Sequence, residues 1–360
     1  MAVLRLTATL GPMTQIQNLV RERAVAEDLA RQAADILLHY RRNGFEVELK
    51  TSIDDPVTVA DREASELIVA GLRKAFPEDG ILSEELLDSA DRLGRERVWI
   101  IDPIDGTSEY VKGSPDYCVS IGLSVRGKAV LGVVLAPERG ELFSGVMGEG
   151  VWKDGVPAGF SDRPPPQSII AVSDTEHARE LHQYALLNMR PSGSIALKMA
   201  RIAAGEADAT FTMSPRSEWD IAAGMALISA AGGVSTRRNG REIVLNSAQP
   251  HIGRGILAGR TDVVAWLTGE LLRLQVPEQV HGVTPADDVW ALAPEEARQG
   301  QQAGANLHLR QAGGKLVAWA LVCAGEGQQG AVLERLEGEA QHAGVLQKDM
   351  VRIYGPLSRA

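Results

Sequence analysis

A short apolar run that ends in two carboxylates is the feature that most restricts the fold of this chain. Residues 98–101 predict a buried strand, and Asp102 and Asp105 follow it within Asp-Pro-Ile-Asp-Gly-Thr-Ser at 102–108. The Asp-Gly step predicts a sharp turn, and the small residues after it leave backbone N–H groups available to an anion. An Asp before a helix can also act only as a cap. The segment therefore indicates either a capped turn or a site that joins a divalent metal to a phosphate.

Three further acidic segments favour the metal interpretation. Asp61 precedes a predicted helix, Glu84 and Glu85 end a short predicted strand, and Asp220 opens another helix. Buried carboxylates without counter-charge are costly, so several acids that converge at the ends of elements indicate cations among them. Oxygen-only ligands favour Mg²⁺ or Mn²⁺ over zinc.

Together these motifs resemble the inositol monophosphatase superfamily of magnesium-dependent, lithium-sensitive phosphatases. The resemblance rests on Asp-Pro-Ile-Asp-Gly-Thr at 102–107, Ser-Glu-Glu at 83–85, Thr-x-x-Asp at 58–61 and Trp-Asp-x-Ala-Ala-Gly at 219–224. The motifs stand in the family's order within residues 19–275. The resemblance implies an α/β fold, the five-layer αβαβα sandwich of this family.

The resemblance also implies two or three Mg²⁺ ions per active site, which Mn²⁺ can replace. A water molecule activated by these ions attacks the phosphate, and no covalent intermediate is required. The implied ligands are Glu84, Asp102 and the backbone carbonyl of Ile104 for the first metal, Asp102, Asp105 and Asp220 for the second, and Asp61 for a weaker third.

Two threonine–carboxylate pairs are the candidates for orienting the attacking water. They are Thr107 with Glu84 and Thr58 with Asp61. Asp61 can equally be a simple cap of the helix that follows it. Glu85 is expected to lie outside the direct ligands.

The substrate is expected to meet a loop and several separate side chains. The resemblance assigns the phosphate to Gly106, Thr107 and Ser108 at a helix N-terminus, where partial positive charge favours an anion. Lys198 and Arg216 can serve a second phosphate, or they can be solvated cations on a helix face. The full set of substrate candidates is Asp105, Gly106, Thr107, Ser108, Ser194, Lys198, Arg216 and Asp220.

Several segments look closest to the bacterial 3′(2′),5′-bisphosphate nucleotidase branch. They are Ser-Glu-Tyr at 108–110 and the segments at 81–85, 97–101, 192–198 and 218–220. Thr212 stands where inositol-specific members carry glutamate and where nucleotidases often carry arginine. The first prediction is therefore hydrolysis of the 3′-phosphate of 3′-phosphoadenosine 5′-phosphate. Inositol 1-phosphate and fructose 1,6-bisphosphate are the alternatives, and a non-catalytic regulator that binds phosphorylated metabolites is a third hypothesis.

Composition agrees with an enzyme of small metabolites. The chain has 360 residues, 44% of them hydrophobic, so it can bury a large core. A net charge of −10 disfavours nonspecific nucleic-acid binding. No apolar run predicts a membrane span, and residues 1–14 do not predict a secretion signal. Two cysteines far apart in sequence favour a cytoplasmic location, and the resemblance allows a homodimer.

Hydrophobic periodicity predicts alternating helices and strands. The predicted helices span about 18–43, 62–76, 176–187, 195–204, 219–231 and 261–274, and the predicted strands 98–101, 119–125, 129–135, 141–146, 169–172 and 255–257.

The domain prediction has three parts. Residues 1–276 form the metal-dependent phosphatase domain, and residues 277–304, which contain three prolines, form a linker. Residues 305–360 form a small ββαβ domain of unknown role. Its predicted strands are 306–310, 315–323 and 350–354, and its helical face lies at 332–340.

Overall fold

The computed structural model describes residues 18–49, 56–184, 187–323, 332–354 and 358–359. The prediction about a secretion signal at 1–14 lies outside these residues. The described helices are α1 (Val20–Asn43), α2 (Val59–Ala75), α3 (Thr107–Lys112), α4 (Asp174–Arg179), α5 (Ile195–Ala203), α6 (Glu218–Ala230), α7 (Thr261–Arg273), α8 (Glu295–Gln302) and α9 (Ala340–Tyr354).

The described strands form two large sheets of the core, a C-terminal sheet and two small ribbons. They are β1 (Val47–Leu49), β2 (Pro56–Thr58), β3 (Gly80–Ser83), β4 (Arg97–Asp105), β5 (Cys118–Val125), β6 (Lys128–Ala136), β7 (Glu141–Val146), β8 (Gly150–Lys153), β9 (Val156–Ala158), β10 (Ile170–Ser173), β11 (Met189–Ser192), β12 (Ala209–Phe211), β13 (Arg216–Ser217), β14 (Val234–Arg237), β15 (His251–Ile252), β16 (Ile256–Gly259), β17 (Glu278–Val280), β18 (Asn306–Ala312), β19 (Lys315–Cys323), β20 (Val332–Gly338) and β21 (Ser358–Arg359).

The core consists of five layers, as the resemblance implies. Helices α1 and α2 cover one face of the sheet β3-β4-β5-β6-β7-β8-β9. Helices α5 and α6 lie between this sheet and the second sheet, β11-β10-β12-β16-β14. Helix α7 covers the outer face of the second sheet. Each helix hides an apolar face: in α1, Leu29, Ala33 and Leu37 recur at helical spacing and are all buried.

Helix α6 packs directly on the backbone of the larger sheet. Gly122 of β5 and Gly132 of β6 face it, and a Cβ atom on Gly132 would lie 2.2 Å from the carbonyl oxygen of Ala223. This close approach places the N-terminal turn of α6, which carries Asp220, beside the end of β4. The sequence motif Trp-Asp-x-Ala-Ala-Gly supplies the small residues that permit this contact.

Most predicted core elements are present, but α2 begins at Val59 rather than at residue 62, and strands β8, β9, β11, β12 and β14 were not predicted. Helix α1 ends at Gly44, whose φ of +84° favours glycine, as predicted. Strand β4 is longer than predicted and contains both Asp102 and Asp105, so these residues do not lie on a turn after the strand. Helix α4 is shorter than predicted, because the backbone leaves helical geometry at Glu180 (φ −144°) and continues as a 3₁₀ turn at Leu181–Gln183.

The C-terminal sheet has the order β17-β18-β19-β20-β21. Two predictions here are wrong: residues 332–338 form strand β20, and residues 350–354 belong to helix α9. Over so short a segment, the apolar residues fit the period of a helix and the period of a strand equally well. Residues 332–338 form a strand because they pair antiparallel with β19. In α9, Leu346 and Met350 are four residues apart and both buried against the sheet.

Regular structure begins inside the segment predicted as a linker. Strand β17 pairs with β18, and α8 packs on the same sheet through the buried Ala297. The division at residues 276 and 304 stays a prediction. Among the described helices, none combines the length and apolarity that crossing a bilayer requires.

We expect Gly132→Ala to destabilise the protein by about 1–3 kcal/mol, because the added methyl group must displace the backbone of α6. Urea unfolding measures the change. Gly269→Ala in α7 is the matched control, since a Cβ atom there meets nothing within 4 Å and helix propensity favours alanine by about 1 kcal/mol. Equal effects of the two variants would contradict the proposed packing constraint.

Candidate active site

A bulge in β4 turns two carboxylates toward the same face of the sheet. Asp102 pairs with Ser120 and Asp105 with Cys118, so two residues on β4 intervene where β5 has one. Residues three apart on a regular strand point to opposite faces. Pro103, which has no N–H to donate, lies in the bulge, and the extra residue restores Asp105 to the face of Asp102. Both carboxylates therefore face α5 and α6.

The N-terminus of α5 holds Asp105 in place. The carboxylate accepts hydrogen bonds from the Ser194 hydroxyl at 2.5 Å and from the Ala196 N–H at 2.6 Å. Ser194 has φ +36° and also caps α5 by accepting from the Leu197 N–H. Burial raises the pKa of Asp105, while these hydrogen bonds oppose the shift. Ser194, predicted as a substrate contact, thus already holds an acidic side chain.

Asp220 reaches the same place from α6. It accepts a hydrogen bond from the Ser217 N–H at 2.9 Å, which fixes it in the first turn of the helix. Three carboxylate oxygens, one each from Asp102, Asp105 and Asp220, lie within 4.8 Å of one another. These are the three side chains that the sequence predicts for the second metal. Asp102 and Asp105 are buried and Asp220 is half-buried.

The other predicted ligands surround this group. Glu84 follows β3, and its N–H donates to the Ile101 carbonyl at 3.2 Å, so parallel pairing with β4 brings Glu84 beside Asp102. The Ile104 carbonyl accepts from the Thr107 hydroxyl at 3.0 Å. Glu84 and Glu85 are half-buried and lie outside the three-carboxylate group.

Asp61 lies in the first turn of α2, where it forms a capping box with Thr58, and it also faces the phosphate loop. Its Oδ2 accepts from the N–H and the hydroxyl of Thr58, at 2.7 and 2.6 Å. The Thr107 hydroxyl lies 3.4 Å from its Oδ1. The N-cap is Thr58, and α2 begins at Val59 rather than at Arg62, so the alternative in which Asp61 is a simple cap is wrong. The buried Asp61 carboxylate connects Thr58 with Thr107.

The predicted phosphate loop makes a tight turn after β4. Gly106 has φ +99°, and a Cβ atom there would approach the Asp116 carbonyl at 3.2 Å, so both the turn and the packing favour glycine. Thr107 and Ser108 open α3 and are half-buried.

Lys198 is buried, so it is not a solvated cation on a helix face. Only 3% of its surface is exposed, and its ammonium donates to the Ser192 and Gly193 carbonyls at 3.0 and 2.7 Å. Burial lowers its pKa to about 8; the charge of Asp105 opposes this shift and that of Arg216 adds to it. Lys198 thus lies within electrostatic reach of both side chains.

Arg216 is held by an acid that the sequence analysis missed. Glu176 of α4 accepts from the Arg216 guanidinium and from the N–H groups of Met213 and Ser214, all at 3.3 Å. The pattern Ser-Asp-Thr-Glu at 173–176 resembles a capping box and could have drawn attention to Glu176. The Ser173 hydroxyl does accept from the Glu176 N–H, but the carboxylate turns to the 213–216 segment.

Thr212 faces the interior. Its hydroxyl donates to the Ser214 carbonyl at 2.9 Å and accepts from the Ile256 N–H at 3.1 Å. Only 1% of its surface is exposed, so this side chain supports the segment that carries Arg216.

Comparisons with known proteins agree with this geometry. The "Inositol monophosphatase family" matches residues 18–269. An inositol monophosphatase of Mesembryanthemum crystallinum is 31% identical over 237 residues, which cover 61% of this chain and 86% of the relative. A fructose-1,6-bisphosphatase/inositol-1-monophosphatase of Thermotoga maritima is 35% identical over 222 residues, 59% of this chain and 84% of the relative.

A solved structure extends the agreement to the fold. The inositol monophosphatase of Anabaena superposes with a TM-score of 0.59 at 30% identity, covering 71% of this chain and 97% of its own. The layers, the order of the motifs and the matched range lead to one conclusion: this chain belongs to the inositol monophosphatase family.

Proposed function

We propose that this protein is a Mg²⁺-dependent phosphatase that hydrolyses a phosphate monoester of a small metabolite. The convergence of Asp102, Asp105 and Asp220 in a partly buried site carries the proposal. Family membership supports phosphatase chemistry, and the known relatives support inositol phosphate and fructose 1,6-bisphosphate as substrates no less than a nucleotide.

The donor set fits a divalent metal. Three carboxylates share a small volume, and the buried Lys198 near Asp105 offsets only part of their charge. Asp102, Asp105 and Asp220 would hold one ion; Glu84, Asp102 and the Ile104 carbonyl would hold another, and Asp61 a third. Such ions supply positive charge that screens a phosphate dianion and acidifies water. Only oxygen donors take part, which favours Mg²⁺ or Mn²⁺.

The residues of the chain can then orient the reactants. When the Thr107 hydroxyl donates to Asp61, the Thr107 Oγ1 atom is free to accept a hydrogen bond from a water molecule. This hydrogen bond can orient the water toward the phosphate. Thr58 fixes the Asp61 carboxylate through two hydrogen bonds. The backbone N–H groups of residues 106–108 would bind phosphate oxygens at the start of α3.

Among substrates we favour 3′-phosphoadenosine 5′-phosphate. Lys198 interacts electrostatically with Asp105 and with Arg216, so a second phosphate beside these two cations would gain favourable charge in addition to the partners that they already have. The alternative of inositol 1-phosphate or fructose 1,6-bisphosphate rests on the relatives.

Both cysteines are free, which agrees with the proposed reducing cytoplasm. A homodimer, which the resemblance allows, stays part of the proposal.

A phosphate-release panel with Mg²⁺ tests the proposal. We expect turnover of 3′-phosphoadenosine 5′-phosphate to exceed that of inositol 1-phosphate and fructose 1,6-bisphosphate. A preference for either of the latter would overturn the substrate ranking. No turnover of any of them would favour the non-catalytic regulator.

We expect Asp105→Asn and Asp220→Asn to abolish turnover and the stabilisation of the fold by Mg²⁺, since each removes a ligand charge. Thermal unfolding with and without Mg²⁺ measures the second effect. Without metal, Asp220→Asn should be at least as stable as the unaltered protein, because it relieves repulsion among the carboxylates. The control is Asp35→Asn at an exposed position of α1. Full Mg²⁺ stabilisation in either site variant would refute that ligand assignment.

We expect Lys198→Met to raise the KM for 3′-phosphoadenosine 5′-phosphate by roughly 10- to 100-fold. This factor corresponds to the free energy that a hydrogen bond to a charged group usually contributes. The KM for adenosine 3′-monophosphate, which lacks the second phosphate, should change little. Lys128→Met, at an exposed position, is the control. Equal losses on both nucleotides would remove Lys198 from the specificity argument.

We expect the preference for the bisphosphorylated nucleotide to decline as pH rises through about 8. Burial lowers the pKa of Lys198 to this value, so its ammonium form prevails below it and the neutral amine above it. The charges around it are those of Asp105, Glu109, Glu176 and Arg216. The measurement is the ratio of kcat/KM for 3′-phosphoadenosine 5′-phosphate to kcat/KM for adenosine 3′-monophosphate. It is followed from about pH 6.5 to about pH 9.5, a range that spans the pKa of Lys198. In Lys198→Arg, whose guanidinium stays charged, the ratio should stay constant; a constant ratio in the unaltered protein would contradict the assignment.

A further inference from the structure

The C-terminal sheet contacts the segment that carries Arg216. The Gln279 N–H of β17 donates to the Met213 carbonyl at 2.9 Å, and the His281 N–H donates to the Gly253 carbonyl at 2.7 Å. Met213 precedes β13, and Gly253 follows β15, the partner strand of β13. Strand β17 and the residue after it therefore contact the segments that flank the small ribbon from which the chain passes into α6.

Helix α4 connects the same sheet to the site through two carboxylates. Glu176 holds the Met213 and Ser214 N–H groups and the Arg216 guanidinium. Glu180, the residue that follows α4, forms an ion pair with Arg310 of β18. Both partners are buried, with 1% and 0% of their side chains exposed.

A second buried ion pair joins the sheet to the end of β15. The Arg254 guanidinium donates to both carboxylate oxygens of Glu278, at 2.8 and 2.9 Å, and also to Asp288. The Gln311 amide donates to Glu278 as well. Two separate charged anchors thus fix the C-terminal sheet behind the ribbon β13–β15.

We infer that the C-terminal sheet is a positioning element for the substrate pocket, acting through Arg310, Glu180 and Glu176 on Arg216. The inference rests on the proposed function, in which Arg216 meets a second anionic group of the substrate. Because Glu180 and Arg310 are both buried, moving them apart would cost free energy, since each charge would lose its partner away from water. The two side chains therefore stay in contact. The position of Arg310 therefore limits where α4 and the guanidinium of Arg216 can lie.

The test compares the full chain with two variants of the pair. Arg310→Met removes the cation, and the double variant Glu180→Leu with Arg310→Met removes both charges of the pair, so that neither stays buried without the other if the single variant fails to fold. Arg179, which also lies 3.2 Å from Glu180, is 24% exposed and keeps access to water. Arg335→Met is the matched control, since Arg335 forms an exposed ion pair with Glu296 within the C-terminal part.

Hydrogen–deuterium exchange gives the readout that does not depend on turnover. We expect exchange of the Met213 and Ser214 amides to accelerate by about 10-fold in the pair variants, because these N–H groups lose their fixed acceptor. The Arg335→Met control should show no change there. Unchanged exchange in both pair variants would overturn the inference.

Kinetics test the consequence for specificity. In the pair variants we expect the KM for 3′-phosphoadenosine 5′-phosphate to rise about 3- to 30-fold. The kcat for adenosine 3′-monophosphate should be preserved, since the metal ligands lie on other elements. Equal losses on both nucleotides would mean that the sheet only supports the fold, and the inference would be wrong. If the unaltered protein cleaves neither nucleotide, the proposed function fails, and exchange alone decides whether the sheet positions the segment.

Discussion

The concentration of negative charge at the end of β4 is the constraint on which the site depends. Asp102 and Asp105 share one face only because the strand bulges between them, and Asp220 joins them because α6 lies against glycine backbone. Three carboxylates within 4.8 Å repel each other, so the fold must hold them by other means. Hydrogen bonds from the first turns of α5 and α6 do so, since helix N-termini favour negative charge.

The cations near this group are held just as firmly. Lys198 is buried among carbonyl groups, and Arg216 pairs with Glu176, which also accepts from the backbone of the 213–216 segment. Glu180 extends this arrangement to Arg310 of the C-terminal sheet. In the positioning role that we infer, residues outside the family match act on a site built from residues inside it.

Secondary structure followed from the sequence where apolar residues repeat over a long stretch. Strand β7 and helix α7 appear close to their predicted bounds, because their apolar residues match one period clearly. In the C-terminal part β18 and β19 confirm the prediction, whereas β20 does not, since residues 332–338 fit a helical period and a strand period equally well until β19 supplies a pairing partner. The linker prediction likewise could not anticipate that β17 finds an edge at β18.

The sequence by itself determined the family, because motif identity is a local property, and the resemblance to that family implied the five layers and the three acids that lie together. Only the tertiary structure decided which faces those side chains share. Asp102 and Asp105 would point apart on a regular strand, Asp61 joins both the capping box of Thr58 and the Thr107 hydroxyl, and Lys198 is buried. These outcomes depend on a bulge and on contacts between residues far apart in the chain, which no local pattern encodes.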